Sequence, residues 1–166
     1  MELGFKAIRN LHPDYDLWRN FPYEYVFDRL AIDVITGCET LRKWVDDKGA
    51  KVSDLENFLA KDEKIWTAYH EAGHAVIAYL LHPTNDVVKA SIVPHKGMLG
   101  FVSHRPSEEH HSSTKEKLLA DIKVSIASYV AETMKFGKTG SGVGGGPGSD
   151  FYRAMQIAQD MVWSFG

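Results

Sequence analysis

The sequence predicts an α+β fold, mainly α with a small β-sheet, on three observations. Apolar residues recur at threes and fours through most of the chain, as they do on one face of a helix. Only residues 87–94 and 100–104 have the β-rich texture of short strands bounded by proline or glycine. A stretch holding seven glycines, residues 137–148, separates the last helical pattern from everything before it.

In chain order, residues 1–23 are aromatic and broken by proline, with turns at His12-Pro13-Asp14 and Phe21-Pro22. Leu17, Trp18 and Phe21 are expected to pack on the helical stretch after them. From Glu24 to about Asp47 the pattern is helical, with Val26, Phe27, Leu30, Val34, Leu41, Trp44 and Val45 on one broad face. Gly37 interrupts it and Asp46-Asp47-Lys48-Gly49 ends it. Ser53 with Glu56 forms a capping box for a helix carrying Leu55, Phe58 and Leu59, and the charged run Lys61-Asp62-Glu63-Lys64 reads as a joint. These features divide the chain into a helical segment, residues 1–60, expected to serve as a packing scaffold, and a second part, residues 61–166.

The second part opens with a helix on which Ile65, Trp66, Tyr69, Val76, Ile77, Leu80 and Leu81 recur at helical spacing until Pro83 stops it. It is expected to be buried along most of its length, with a polar insert facing a cleft. Two strands follow, joined through Gly97-Met98-Leu99-Gly100, and an edge of such a sheet can pair with an extended peptide. Ser113 with Glu116 is another capping box, starting a helix to about Phe136. Its buried face is expected to hold Leu118, Leu119, Ile122, Ile126, Tyr129, Val130, Ala131 and Met134. The glycine-rich stretch lacks a Gly-Lys-Ser/Thr ending and reads as a mobile loop beside the cleft rather than a phosphate cradle. It delivers Ser149 as cap to a last helix striped by Ala154, Ile157, Ala158, Met161, Val162 and Phe165.

The chemistry lies in Tyr69-His70-Glu71-Ala72-Gly73-His74-Ala75. Histidines four residues apart on a helix share one face and can reach one metal ion, while Glu71 projects beside them to take a proton from water. Gly73 costs a helix roughly 1 kcal/mol against alanine, so another backbone is expected to approach it closely. The implied class is a metal-dependent hydrolase that needs a third ligand. Glu132, an acid near an apolar face, needs a partner if buried, either as a metal ligand or as a group orienting a histidine. Asp150 suits a helix N-terminus by its charge, and it also suits a third oxygen ligand. Spacing alone leaves Glu132 and Asp150 equal. Of the other histidines, His110-His111 reads as a solvated loop, His82 as spare, and His95 and His104 as groups flanking the strands that could line the cleft.

Composition narrows the class. Apolar residues are 44% and charged residues 25%, as in soluble globular proteins. A formal charge of −3 and no basic stripe give no footprint for nucleic acid. Cys38 is the only cysteine, which excludes an internal disulfide and argues against a thiolate zinc site. It is compatible with a reducing compartment, cytoplasmic or organellar. No apolar run approaches bilayer length, and Met1 to Asn20 does not have the pattern of a signal peptide.

His70 to Ala75, Val88 to Pro94 with Gly100-Phe101-Val102, Val130-Ala131-Glu132, and Ser149-Asp150 through Ala154, Ala158 and Met161-Val162 resemble the peptidase part of the FtsH family. These are ATP-dependent zinc proteases of bacteria, mitochondria and chloroplasts. The resemblance covers about residues 64–166 in order and spacing. It implies a zincin-like metallopeptidase helix with short strands beside it, Zn2+ held by His70, His74 and Asp150, Glu71 as general base, and Glu132 as a neighbour that orients a ligand. The expected activity is endopeptidase cleavage of extended or unfolded polypeptides, with His95 or His104 as a donor to the oxyanion. The transmembrane helices and Walker-motif ATPase module of FtsH proteins have no counterpart here. The chain also stops at Trp163-Ser164-Phe165-Gly166, where family members continue. The expectation is a truncated chain or a relative without the motor, partnered by further copies of itself or by a separate ATPase, with any membrane association supplied by missing regions or partners. Two readings stand against it: a non-catalytic module that binds or stabilises a partner, and a gluzincin-like site with Glu132 as third ligand.

Overall fold

The computed structural model describes Pro22 and residues 26–36, 61–93, 98–106, 113–144 and 146–165. The turns of residues 1–21, the Gly37 break, the Ser53–Glu56 capping box, His95 and His110-His111 lie outside the described residues. Among the described residues the chain forms four helices, a one-turn 3-10 helix and a two-stranded antiparallel sheet, the α+β class that the sequence predicts.

Helix α1, residues 26–36, presents Val26, Phe27, Leu30, Ala31 and Val34 to the core at helical spacing. They pack on the back of α2, Lys61–Leu81, whose Ala68, Tyr69, Ala72, Ala75 and Val76 belong to the same cluster. A polar tie joins three helices here. The Tyr69 hydroxyl donates to the Asp28 carboxylate, and Lys135 Nζ donates to the same oxygen at 3.0 Å while lying 4.8 Å from the Tyr69 ring centroid.

The charged run at Lys61 has a place inside a helix. It is the first turn of α2, where Asp62 and Glu63 complement the helix dipole. The other end of α2 is fastened by His82. Its Nδ1 accepts from the Thr84 and Asn85 amides at 3.2 and 3.0 Å, so its proton is on Nε2, which lies 3.2 Å from Asp121 Oδ1. His82 therefore steers the chain from α2 into the sheet.

Strand β1, Asn85–Ser91, pairs with β2, Phe101–Pro106, in a register running from Asn85↔Pro106 to Ser91↔Phe101 with an irregularity between Val87 and Lys89. The strands differ from the expected bounds by one to three residues, because Asn85 and Pro106 extend the ladder while Ile92 leaves it for the core.

Helix α3, Lys115–Phe136, is capped by Thr114, whose side chain accepts from the Lys117 amide at 3.2 Å; the expected Ser113–Glu116 box is displaced by one residue. Gly137 closes the helix at φ 67°, its amide donating to Thr133 O at 2.9 Å. The buried face of α3 also differs from expectation. Ala120, Ser125, Ala127, Ser128, Ala131 and Glu132 are buried, whereas Leu119, Tyr129, Val130 and Met134 are exposed. The cause is the crossing with α2. A Cβ on Gly73 would stand 2.6 Å from Ala127 O and 2.9 Å from Ala131 Cβ, so only small residues fit between the two helices. A short 3-10 helix, Ser141–Val143, leads to α4, Asp150–Trp163. Of its expected stripe only Ala154 is buried, and Val162 and Phe165 face outward. Among the described residues no helix is long and apolar enough to cross a membrane.

Candidate metal centre

The site is assembled on the face of α2 that looks toward α3 and α4. His70 and His74, one turn apart, bring their Nε2 atoms each to 3.3 Å from Asp150 Oδ2. The three donor atoms lie within 4.8 Å of one another. Asp150 is the first residue of α4, placed there by a turn that ends at Gly148 with φ 86° and by the Ser149 cap, which accepts from the Tyr152 amide.

Each donor is aimed by a second contact, and α3 supplies all three. Val124, Ser128 and Glu132 sit four residues apart on one stripe of that helix. His74 Nδ1 lies 2.7 Å from Val124 O; a carbonyl only accepts, so the ring proton is on Nδ1 and Nε2 offers its lone pair to the gap. His70 Nδ1 lies 2.7 Å from Glu132 Oε1, which fixes the same tautomer. Ser128 Oγ donates to Asp150 Oδ2 at 2.5 Å. Glu132 is 1% exposed, and its other oxygen accepts from the Gly140 amide at 2.6 Å. This buried carboxylate thus has both oxygens paired, one by a histidine and one by the glycine-rich segment.

The donor set fits a zinc ion. Ligand bonds of about 2.0–2.1 Å in tetrahedral geometry separate neighbouring donors by about 3.3 Å. That is the spacing of each Nε2 from Asp150 Oδ2. Two imidazole nitrogens and one carboxylate oxygen, each with its far side anchored, also match the open three-ligand sites that leave a position for substrate. Electrostatics agree. Burial opposes a charge on His70, yet the Asp150 and Glu132 carboxylates overrule it and push the imidazole up to about 10. Burial likewise works against an ionised Asp150, but His70, His74 and Ser128 hold its carboxyl well below the usual range. The pocket is built to hold positive charge.

Glu71 lines a cleft of about 570 Å³ that it shares with His70 and Glu132, bounded by Trp66, Thr67, Leu99, Gly100 and residues 138–142. It is 6% exposed. Burial raises its pKa, the two histidines pull it down, and Asp150 pushes it up; the net direction is upward. The glycine-rich stretch, expected to be a mobile loop beside the cleft, does form its wall, but it is docked there by the Gly140 contact and by buried Val143.

His104 is exposed on β2 opposite Val87 and is not among the residues lining this cleft. Partial shielding of its ring by neighbouring chain and the nearby Arg153 guanidinium lower its pKa. Sequence reasoning passed over Val124, Ser128, Gly140 and Gly100. Only Ser128 left a signal, a small polar residue one turn before Glu132 on a helix face otherwise apolar.

Two histidines and a glutamate on one buried helix, an oxygen donor brought from a second helix and a short sheet beside them fit the zinc metallopeptidase class. The chain belongs to peptidase family M41, whose profile its residues 57–166 match. It is 39% identical over 118 residues to the ATP-dependent zinc metalloprotease FtsH of Methylibium petroleiphilum, covering 70% of this chain and 18% of that protein. It is 34% identical over 145 residues to the chloroplastic/mitochondrial ATP-dependent zinc metalloprotease FTSH 9 of Oryza sativa, covering 86% of this chain and 18% of the relative. With the mouse ATP-dependent zinc metalloprotease YME1L1 it shares 42% over 103 residues, 62% of this chain and 14% of that protein. The chain thus spans less than a fifth of the length of these relatives.

Proposed function

We propose that this chain carries the peptidase activity of a zinc-dependent endopeptidase acting on extended or unfolded polypeptides, with His70, His74 and Asp150 as the zinc ligands and Glu71 as general base. The observation that carries the reading is the convergence of two lone-pair nitrogens and one carboxylate oxygen beside a buried glutamate that faces a cleft. Bound zinc supplies a Lewis acid that acidifies water and polarises the scissile carbonyl. Glu71 accepts a proton from the attacking water, whose oxygen bonds to the carbonyl carbon. It then returns that proton to the amine as the C–N bond breaks. Burial of its carboxyl, which raises the pKa in the metal-free chain, favours proton uptake. Glu132 and Val124 keep the two imidazoles in the tautomer that faces the metal.

An extended substrate lies in the cleft beside Leu99 and Gly100 and pairs there with the sheet through its own exposed backbone. The relatives are named as ATP-dependent, so the unfolding step falls to an ATPase, either elsewhere in a longer chain or in a separate partner. The other candidate partner is a further copy of this chain. The compartment is that of the bacterial cytoplasm or an organelle, with membrane association through regions or partners outside these residues.

The test is zinc content by elemental analysis together with hydrolysis of an unfolded protein such as casein, for wild type and Glu71→Gln. Near-stoichiometric zinc in both, with hydrolysis only in wild type, is the expected result. Equal hydrolysis by both proteins removes Glu71 from the mechanism. A zinc-loaded wild type without hydrolysis points to a binding module.

A further inference from the structure

We infer that Gly100 is a positioning residue for the general base, because the backbone at the start of β2 forms the wall that sets the Glu71 carboxylate. The inference rests on the role proposed above for Glu71. A Cβ built on Gly100 would stand 2.7 Å from Thr67 Cγ2, 2.8 Å from Glu71 Cγ and 2.8 Å from Glu71 Oε1. Glycine is needed here for space, since its backbone does not take the left-handed conformation found at Gly137 and Gly148. Among the described residues the Glu71 carboxylate has no hydrogen-bond partner, unlike His70, His74 and Asp150, each of which has one. What fixes its direction is therefore packing: the helix beneath it, the Thr67 methyl one turn back, and the Gly100 backbone across the cleft floor. A methyl group at Gly100 takes the volume that Cγ and Oε1 occupy and turns the carboxylate away from the line between water and leaving amine.

The experiment compares wild type, Gly100→Ala, Glu71→Asp and the double variant Gly100→Ala/Glu71→Asp as full chains. Three quantities are read: zinc content, kcat and KM on an unfolded protein substrate, and the ¹³C carboxyl resonance of Glu71, assigned by its absence in Glu71→Gln. Gly100→Ala is expected to keep its zinc and its KM, lose about 10- to 100-fold in kcat, and shift the Glu71 resonance. Shortening the side chain removes the contact at Oε1 but leaves a carbon at the Cγ position, so the two substitutions together are expected to depart from the product of their separate losses. Should Gly100→Ala fold poorly, adding Thr67→Ser removes the 2.7 Å methyl clash and leaves the Glu71 contacts to be measured. A Gly100→Ala chain whose Glu71 resonance and kcat both match wild type overturns the inference, as does a loss expressed wholly in zinc content or KM. The resonance is read with or without turnover. A wild type that fails to hydrolyse peptides therefore counts against the proposed function, while the wall is judged separately.

Discussion

The two flanks of α2 hold their functional side chains by different means. Toward α3, His70 and His74 are pinned by hydrogen bonds to Glu132 and to the Val124 carbonyl, and Gly73 lets the two helices meet closely enough for those bonds to form. Toward the sheet, Glu71 is confined by the shapes of Thr67 and Gly100. The difference reflects what each group does. A ligand keeps one tautomer and one direction throughout, so a directional bond to its far nitrogen serves it. A base alternates between charged and neutral forms, and a fixed donor to its carboxylate would stabilise the charged form and resist the change.

The sharpest break in the comparison comes from removing one group of each kind. Asp150→Ala is expected to lose zinc and, with it, all hydrolysis. Glu71→Gln is expected to keep zinc while kcat falls by about 10²- to 10⁴-fold. Elemental analysis beside a casein assay separates the two. Zinc retained in Asp150→Ala but lost in Glu132→Ala would reverse the roles of the two acids.

Glu132→Gln should show an intermediate effect. The amide cannot satisfy the His70 Nδ1–H and the Gly140 N–H together as strongly as a carboxylate does. A fall in zinc affinity of about 10- to 100-fold is expected, measured by competition with a chromogenic chelator.

Gly73→Ala probes the same flank through its packing. The added carbon meets Ala127 O, a backbone atom inside a helix that cannot move aside as a side chain does. Overpacking of this kind costs about 1–3 kcal/mol, read as a lower midpoint in denaturant unfolding. At Gly100 the obstructing atoms are side chains, and a loss of activity with less loss of stability is the contrasting outcome.

The pinned flank was the more legible of the two in the sequence. His70 and His74 are spelled by a spacing that helical geometry converts directly into convergence, and Glu132 is marked as an acid that cannot be buried alone. Gly73 announced a close backbone approach because glycine is unfavourable inside a helix, and α3 is what approaches. The exposed large residues of α3 were misassigned because of that same approach. Hydrophobic periodicity reports a preference for burial, whereas the spacing set by Gly73 requires small residues such as Ala127 and Ala131 where the helices touch. Gly100 left no trace, since a glycine between two strands reads as a turn residue, and its contact with Glu71 exists only once β2 folds over α2.

The smallest expected effect concerns pH, and it tests the pinned flank without substitution. In the metal-free chain burial works against the charged imidazole of His70, but two carboxylates raise it from an ordinary 6.5 to about 10. A raised pKa means that the folded state holds its proton more tightly than the unfolded state. The resulting stability is complete below about pH 6.5 and drains away as pH rises through 10. Asp150 has the opposite sign. Its depressed pKa contributes stability above the ordinary carboxylate value near 3.8, and that contribution is lost as pH falls below it. Metal-free protein should therefore be most stable between about pH 4 and 6.5 as far as this pair is concerned, with its unfolding midpoint declining above that window. Zinc replaces the proton between Nε2 and Oδ2 as the source of positive charge, so zinc-loaded protein should lose the alkaline decline while its affinity weakens in acid, where proton and metal compete. Unfolding midpoints measured against pH with zinc and with a chelator check both statements. A decline of equal slope in the two series would show that His70 does not face the metal.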